Sequence, residues 1–338
     1  MMARDRIKWI DFVRGLSMVF IVSLHTGGFF NFQGAYLAFM SVFFLLSGLL
    51  FDADKTTREL FIGKINGLLI PFVLYYLIGC VIYFFLNLVF PDYASYSISG
   101  VSSDCSSGLL DVFVKRQYFN GPIWFILCLF WCEMYFVLIV KYLKIFLQPI
   151  AVFCVGAIGW LLGSRDVFIP MMMDVGMTVL PVFYCGFLLR KVNFCTKPVG
   201  VYSLISFLIL TLIAVLIVYF INPGIHLHYN QPHGNPLLVF VLSLVSSFAI
   251  LQFARLLFGL ADIMTVGRDI NIFPILQYVG RNSLILLGLH HLIYRPLVVF
   301  GIPIGNVLFL VTMLINIALI PLINKFVPIL GGKVKVVS

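Results

Sequence analysis

Ten apolar stretches, most of them close to twenty residues long, follow one another along the chain. They run roughly over 9–30, 35–52, 66–90, 122–141, 149–164, 170–189, 199–221, 236–259, 283–300 and 303–324. A helix needs about 20 apolar residues to cross the hydrocarbon core of a bilayer. Within that core backbone N–H and C=O groups must pair inside the segment, which a helix achieves alone. The expected fold is therefore an all-α polytopic membrane protein of about ten transmembrane helices, one domain over 1–338 with a tail at about 326–338. Composition agrees: 62% of the 338 residues are hydrophobic and 10% charged, against about a quarter charged in a soluble domain. The first stretch leads straight into further spans without a small-residue cleavage site, so it reads as a span rather than a signal peptide. No repeat of 20–50 residues is visible.

The net charge of +9 is explained by topology rather than by nucleic-acid binding, since lysine and arginine concentrate in cytoplasmic loops. With the N-terminus placed inside, seventeen cations fall on the cytoplasmic side and four outside: Lys115, Arg116, Arg165 and Arg295. Arg14 is left within a span. This asymmetry places both termini in the cytoplasm. Two outer loops, 91–121 and 222–235, are long and polar, and 260–282 is the longest polar stretch inside, amphipathic or re-entrant.

The seven cysteines lie mostly in apolar runs, with no CxxC pair and no zinc-site spacing. Cys128 and Cys132, one turn apart, read as packing. His226, His228 and His233 lack a Cys or acidic partner at suitable spacing. No metal site and no bound cofactor are expected.

The stretch "WIDFVRGLSMVFIVSLHTGGFF" carries Asp11, Arg14 and His25 into the first span. Eleven residues at ~100° each come to three turns plus ~20°, so Arg14 and His25 share a face, ~16 Å apart along the axis. An ionisable side chain inside a span costs at least ~2.5–3.5 kcal/mol on insertion scales and usually faces a cavity. The bland alternatives are a snorkelling Arg14 paired with Asp11 and an interhelical, hydrogen-bonded His25. By depth, Arg255 and Arg281 join Arg14 in a basic cluster at the cytoplasmic mouth, suited to phosphate. His25, Ser47, Glu133 and His290 fall toward the middle and outer half. His291 points about 100° away from His290, so the two are not expected to share one function. This arrangement suits a long ligand with an anionic head and a reactive tail.

"IDFVRGLSMVFIVSLH" (Ile10 to His25) resembles the opening signature of the acyltransferase 3 family, including its R-x10-H spacing. "VFFLLSGLLF" (Val42 to Phe51) resembles the family's FF-x-x-SG-x-L motif. "GPIWFILCLFWCEMYF" (Gly121 to Phe136) is similar to the Trp-Phe-Leu segment of fucose 4-O-acetylase-like members. "YVGRNSLILLGLHHLI" (Tyr278 to Ile293) resembles the late GxxSLxxxxxH segment. The resemblance implies ten spans, an acyl-CoA donor, usually acetyl-CoA, and a hydroxyl acceptor on a cell-surface or exported glycan, a lipid-linked sugar included. It also implies a catalytic histidine, here His25, with Arg14 as the motif arginine, in a bacterial-type inner membrane. Larger members carry a WSL-x-x-E segment. Here Trp124 and Glu133 stand farther apart and Phe125 replaces the serine, so Glu133 is only a candidate supporting residue, beside Asp11, Ser47 and His290.

Both readings meet in one chemistry. A sugar hydroxyl is a poor nucleophile at neutral pH, and a general base removes its proton as the C–O bond forms. Neutral histidine suits that task. His25 is expected to act as base, or as nucleophile through an acyl-histidine, while Arg14, Arg255 and Arg281 hold the donor. Ser47 is a candidate oxyanion donor. The rival class is a transporter or glycan flippase without acyl transfer; the sequence shows neither an internal repeat nor the paired short broken spans common in transporters.

Overall fold

The computed structural model describes residues 7–29, 33–90, 120–197, 199–221, 225–226, 230–232, 235–264 and 273–337. Most of the two expected outer loops, the side chains of His226, His228 and His233, and Lys115, Arg116 and Arg268 lie outside the described residues.

Each expected apolar segment falls on a helix: α1 (Lys8–Thr26), α2 (Gln33–Leu50), α4 (Ile70–Val89), α5 (Trp124–Tyr142), α6 (Gln148–Ser164), α7 (Met173–Lys191), α8 (Val201–Ile221), α9 (Pro236–Met264), α11 (Ser283–Val299) and α12 (Asn306–Phe326). Two shorter helices accompany them, α3 (Thr57–Lys64) and α10 (Pro274–Arg281). Among the described residues seven helical runs are long and apolar enough to cross a membrane singly. Helices α10 and α11 form an eighth, bent by 85°, while α6 and the Leu37–Leu50 part of α2 are shorter apolar helices. A two-residue antiparallel strand pairing joins Ile225–His226 to Gln231–Pro232.

Two boundaries differ from expectation. The third helical run begins at Thr57, well before residue 66, because Thr56 starts it with a reciprocal cap: its hydroxyl accepts from Glu59 N and Glu59 Oε2 accepts from Thr56 N (2.8 Å). It then passes through a π-helical turn, Ile65–Leu69, into α4. The polar stretch 260–282 contains α10, which folds back against α1.

Two crossings bring backbones into contact. A Cβ added at Gly15 would overlap the Leu276 carbonyl oxygen, and one at Gly280 the Asp11 carbonyl. Helices α2 and α7 meet the same way through Gly48 and Gly186. Small residues permit such approach where lipid tails remove the hydrophobic drive between helices. The glycine beside Arg14, that after Ser47 and that before Arg281 are thus packing requirements that fix where those polar neighbours stand. Phe51, Phe136, Phe183 and Phe187 interlock between α2, α5 and α7 at centroid distances of 5.0–6.1 Å. Outward faces carry exposed Phe84, Phe85, Leu88, Leu208, Leu212 and Leu314, as a surface solvated by hydrocarbon requires. Of the 222–235 loop, Asn230 is buried. Its amide donates to Asp174 Oδ2 (2.9 Å) and Gly159 O (3.0 Å), pinning the loop to α6 and α7.

Candidate active site

Arg14, Met18, Ile21 and His25 succeed one another at intervals of four, three and four, which is one helical face. The first three line a cavity of about 280 Å³. Met40, Phe43 and Ser47 of α2, Gly67 and Leu68 of the π-helical turn, and Phe125, Ile126 and Leu129 of α5 complete one side. Gly280 to Ile285, Leu287 and Gly331 complete the other. The cavity runs along α1 from Arg14 and stops at Ile21, one turn short of His25. Arg14 also borders a second cavity of about 570 Å³, with Asp11, Arg190, Asn193 and Thr196.

Beyond that end three imidazoles gather. The His25 ring lies 5.3 Å from His290 and 5.7 Å from His291, centroid to centroid, and the latter two are 6.0 Å apart. His290 and His291 were expected to serve different places because they diverge by about 100°, yet both rings lie against His25. They do point apart on α11, but a ring entering the notch between two successive side chains touches both. His290 Nδ1 lies 2.9 Å from Leu286 O. A carbonyl only accepts, so Nδ1 carries the proton and Nε2 presents a lone pair. That buried Nε2 has no partner among the described residues. His291 is held in the opposite tautomer. Its Nδ1 accepts from Gly121 N (3.3 Å), leaving Nε2–H to donate to the Tyr294 hydroxyl oxygen (2.8 Å). Asn120 fixes the same junction by donating to Gly288 O (2.7 Å), and the Tyr75 ring packs on Gly288.

Sequence reasoning missed His291, Tyr294 and the Asn120–Gly121 turn. The i, i+3 spacing of His291 and Tyr294 was a usable signal, and Asn-Gly-Pro marks a turn ahead of α5. Among the described residues no three His, Cys, Asp or Glu side chains are arranged to hold a metal ion.

The other expected residues separate. Ser47 lies at the Arg14 end of the cavity, three residues from the end of α2, not near His25, where an oxyanion donor would be needed. Asp11 is buried, borders the second cavity together with Arg14, and its Oδ2 meets Arg281 Nε at 3.3 Å across the α1–α10 crossing. The expected three-arginine cluster is a pair in this cavity, Arg14 and Arg281. Arg255 is engaged elsewhere, donating to Lys197 O (2.6 Å) and lying 4.2 Å over the Phe194 ring. Glu133 is buried behind the cavity wall, with Lys64 Nζ 2.7 Å from Oε1, tying α5 to the start of the π-helical turn.

A profile described as an acyltransferase domain, that of acyltransferase 3, matches residues 7–325. The chain belongs to the acyltransferase 3 family. No match is found among curated proteins, and none among solved structures. As an acyltransferase 3 protein with this many long apolar helices, the molecule is a multi-pass membrane acyltransferase. The histidine trio falls inside the matched span, as do all the residues that line the Arg14 cavity except Gly331.

Proposed function

We propose that this acyltransferase moves an acyl group, acetyl first among candidates, from acyl-CoA to a hydroxyl of a glycan or lipid-linked sugar, with His25 as general base. The carrying observation is the single α1 face that joins the Arg14 cavity to the histidine trio. The donor's phosphates sit at the arginine end, and its pantetheine arm follows Met18 and Ile21 toward His25. The distance suits that arm: eleven residues of helix rise ~16 Å.

In the transfer step the acceptor O–H gives its proton to a His25 ring nitrogen as the oxygen attacks the thioester carbonyl. The C–S bond then breaks, and the thiolate leaves and recovers the proton as free CoA. The unpaired His290 Nε2 offers a second acceptor beside His25. His291, locked by Gly121 and Tyr294, holds the trio in register.

Purified protein supplied with acetyl-CoA and a panel of glycan acceptors should release CoA thiol in step with acetylated product. His25→Ala should lower kcat by about 100-fold or more at unchanged protein level and melting temperature. Turnover near wild type in that variant would remove His25 as the base.

A further inference from the structure

In sequence the residues after α12 look like a plain tail, but the structure folds them back across the Arg14 cavity. A short 3₁₀ turn, Pro328–Gly331, follows α12, and Gly332 takes a positive φ of 64° that turns the chain onto the Gly67 carbonyl. Asn66, buried in the π-helical turn, then grips the backbone beyond. Its Oδ1 accepts from Val336 N (2.6 Å) and Val337 N (2.9 Å), and its amide donates to Val337 O (2.8 Å). Between these points Lys333 Nζ donates to Asn282 Oδ1 (2.8 Å) and Asn324 Oδ1 (2.7 Å). Gly67, Asn282 and Gly331 all line the cavity that holds Arg14 and Arg281.

We propose that Gly331–Val337 is a strap that completes the donor site: Asn66 is its latch, and Lys333 is a further cation for the donor's phosphates. This rests on the acyl-CoA reading above. Two observations carry it. The strap touches the cavity at three lining residues, so it borders whatever fills the arginine end. Its own hold is polar and releasable: Val334, Val336 and Val337 are exposed, so a few side-chain–backbone hydrogen bonds, rather than apolar burial, keep it in place. Segments with little buried apolar contact open at low cost. A donor with a bulky, charged head and a thin arm can enter as the strap lifts and be clasped as it returns.

The test uses purified full-length protein, titrated with CoA in a calorimeter. Lys333 is exposed, so Lys333→Gln keeps a hydrogen-bond donor while removing the charge. It should weaken CoA binding on the order of 5-fold, more at low salt. Turnover of S-acetyl-pantetheine, which lacks the phosphates, should fall less than turnover of acetyl-CoA. Asn66→Ala should weaken CoA similarly. A cysteine placed by Val336→Cys should react with maleimide more slowly when CoA is bound, and this protection should vanish in the Asn66→Ala background. Wild-type CoA affinity in both Lys333→Gln and Asn66→Ala, with labelling indifferent to CoA, overturns the strap while leaving the donor reading standing. Absence of CoA binding by the wild type overturns the donor reading and the strap together.

Discussion

Arg14→Lys keeps a positive charge at the cavity wall but removes a planar fork of donors. Guanidinium meets two phosphate oxygens at once, whereas ammonium is a point charge. The substitution is expected to raise the KM for acyl-CoA about tenfold with a smaller change in kcat. Initial rates over a donor concentration series decide the matter; an unchanged KM would reduce Arg14 to balancing charge at the helix end. Part of the placement of these residues was legible from their spacing. The shared face of Arg14 and His25 follows from helix periodicity alone, and the structure keeps it. What periodicity lacks is the azimuth of one helix against another. Depth along the spans grouped Arg255 with Arg14, although α9 turns Arg255 onto Phe194 and Lys197 O. For the same reason His291 was set aside: its place beside His25 depends on how α11 crosses α1, which no single-helix argument supplies.

At the scale of elements, the α1–α10 crossing decides whether Arg14 and Arg281 meet in one cavity. Gly15 and Gly280 let the two backbones touch, so a methyl group at either position must push the helices apart. Gly15→Ala and Gly280→Ala are each expected to destabilise the protein by about 1–3 kcal/mol, as overpacking does. Thermal unfolding in detergent should show both melting lower than wild type. Gly63→Ala is the internal comparison, because a Cβ there meets nothing within 4 Å and alanine favours a helix over glycine by ~0.8–1.0 kcal/mol. Its melting temperature should hold or rise; a fall equal to that of Gly15→Ala would mean that the crossing is not specially tight. The helices themselves were readable because apolar runs of this length have few alternatives in a membrane. The cap at Thr56, the π-helical turn and the return of the strap were not read, since each depends on local polar pairing that hydropathy averages away.

For the whole molecule, the arginine pair and the histidine trio occupy opposite ends of one α1 face. We propose that the arginine end faces the cytoplasm, where acyl-CoA is made, a reading supported by the charge asymmetry of the loops. Donor entry from that side and acceptor modification near the other are expected. In sealed vesicles of known orientation, acetyl-CoA given only to the cytoplasmic face should acetylate a membrane-impermeant acceptor confined to the opposite face. Product formed only when both share the cytoplasmic face would reverse the sidedness and leave the acyl transfer itself intact.

The cavity's stop at Ile21, Ile126 and Leu287 has a further consequence for the membrane that houses it. A recess that reaches toward a cluster of imidazoles from one side is part of a path for protons, and a second approach from the opposite side would complete it. Joined end to end, such passages would discharge the electrochemical gradient that the cell maintains. Three aliphatic side chains, almost fully excluded from solvent, stand where the two would meet. A slender thioester arm can part such a contact and fill it in the same movement, whereas a hydrated ion would have to shed its water to follow. In the acyl-transfer reading proposed above, the barrier would admit the acyl end of the donor while keeping the bilayer electrically insulated.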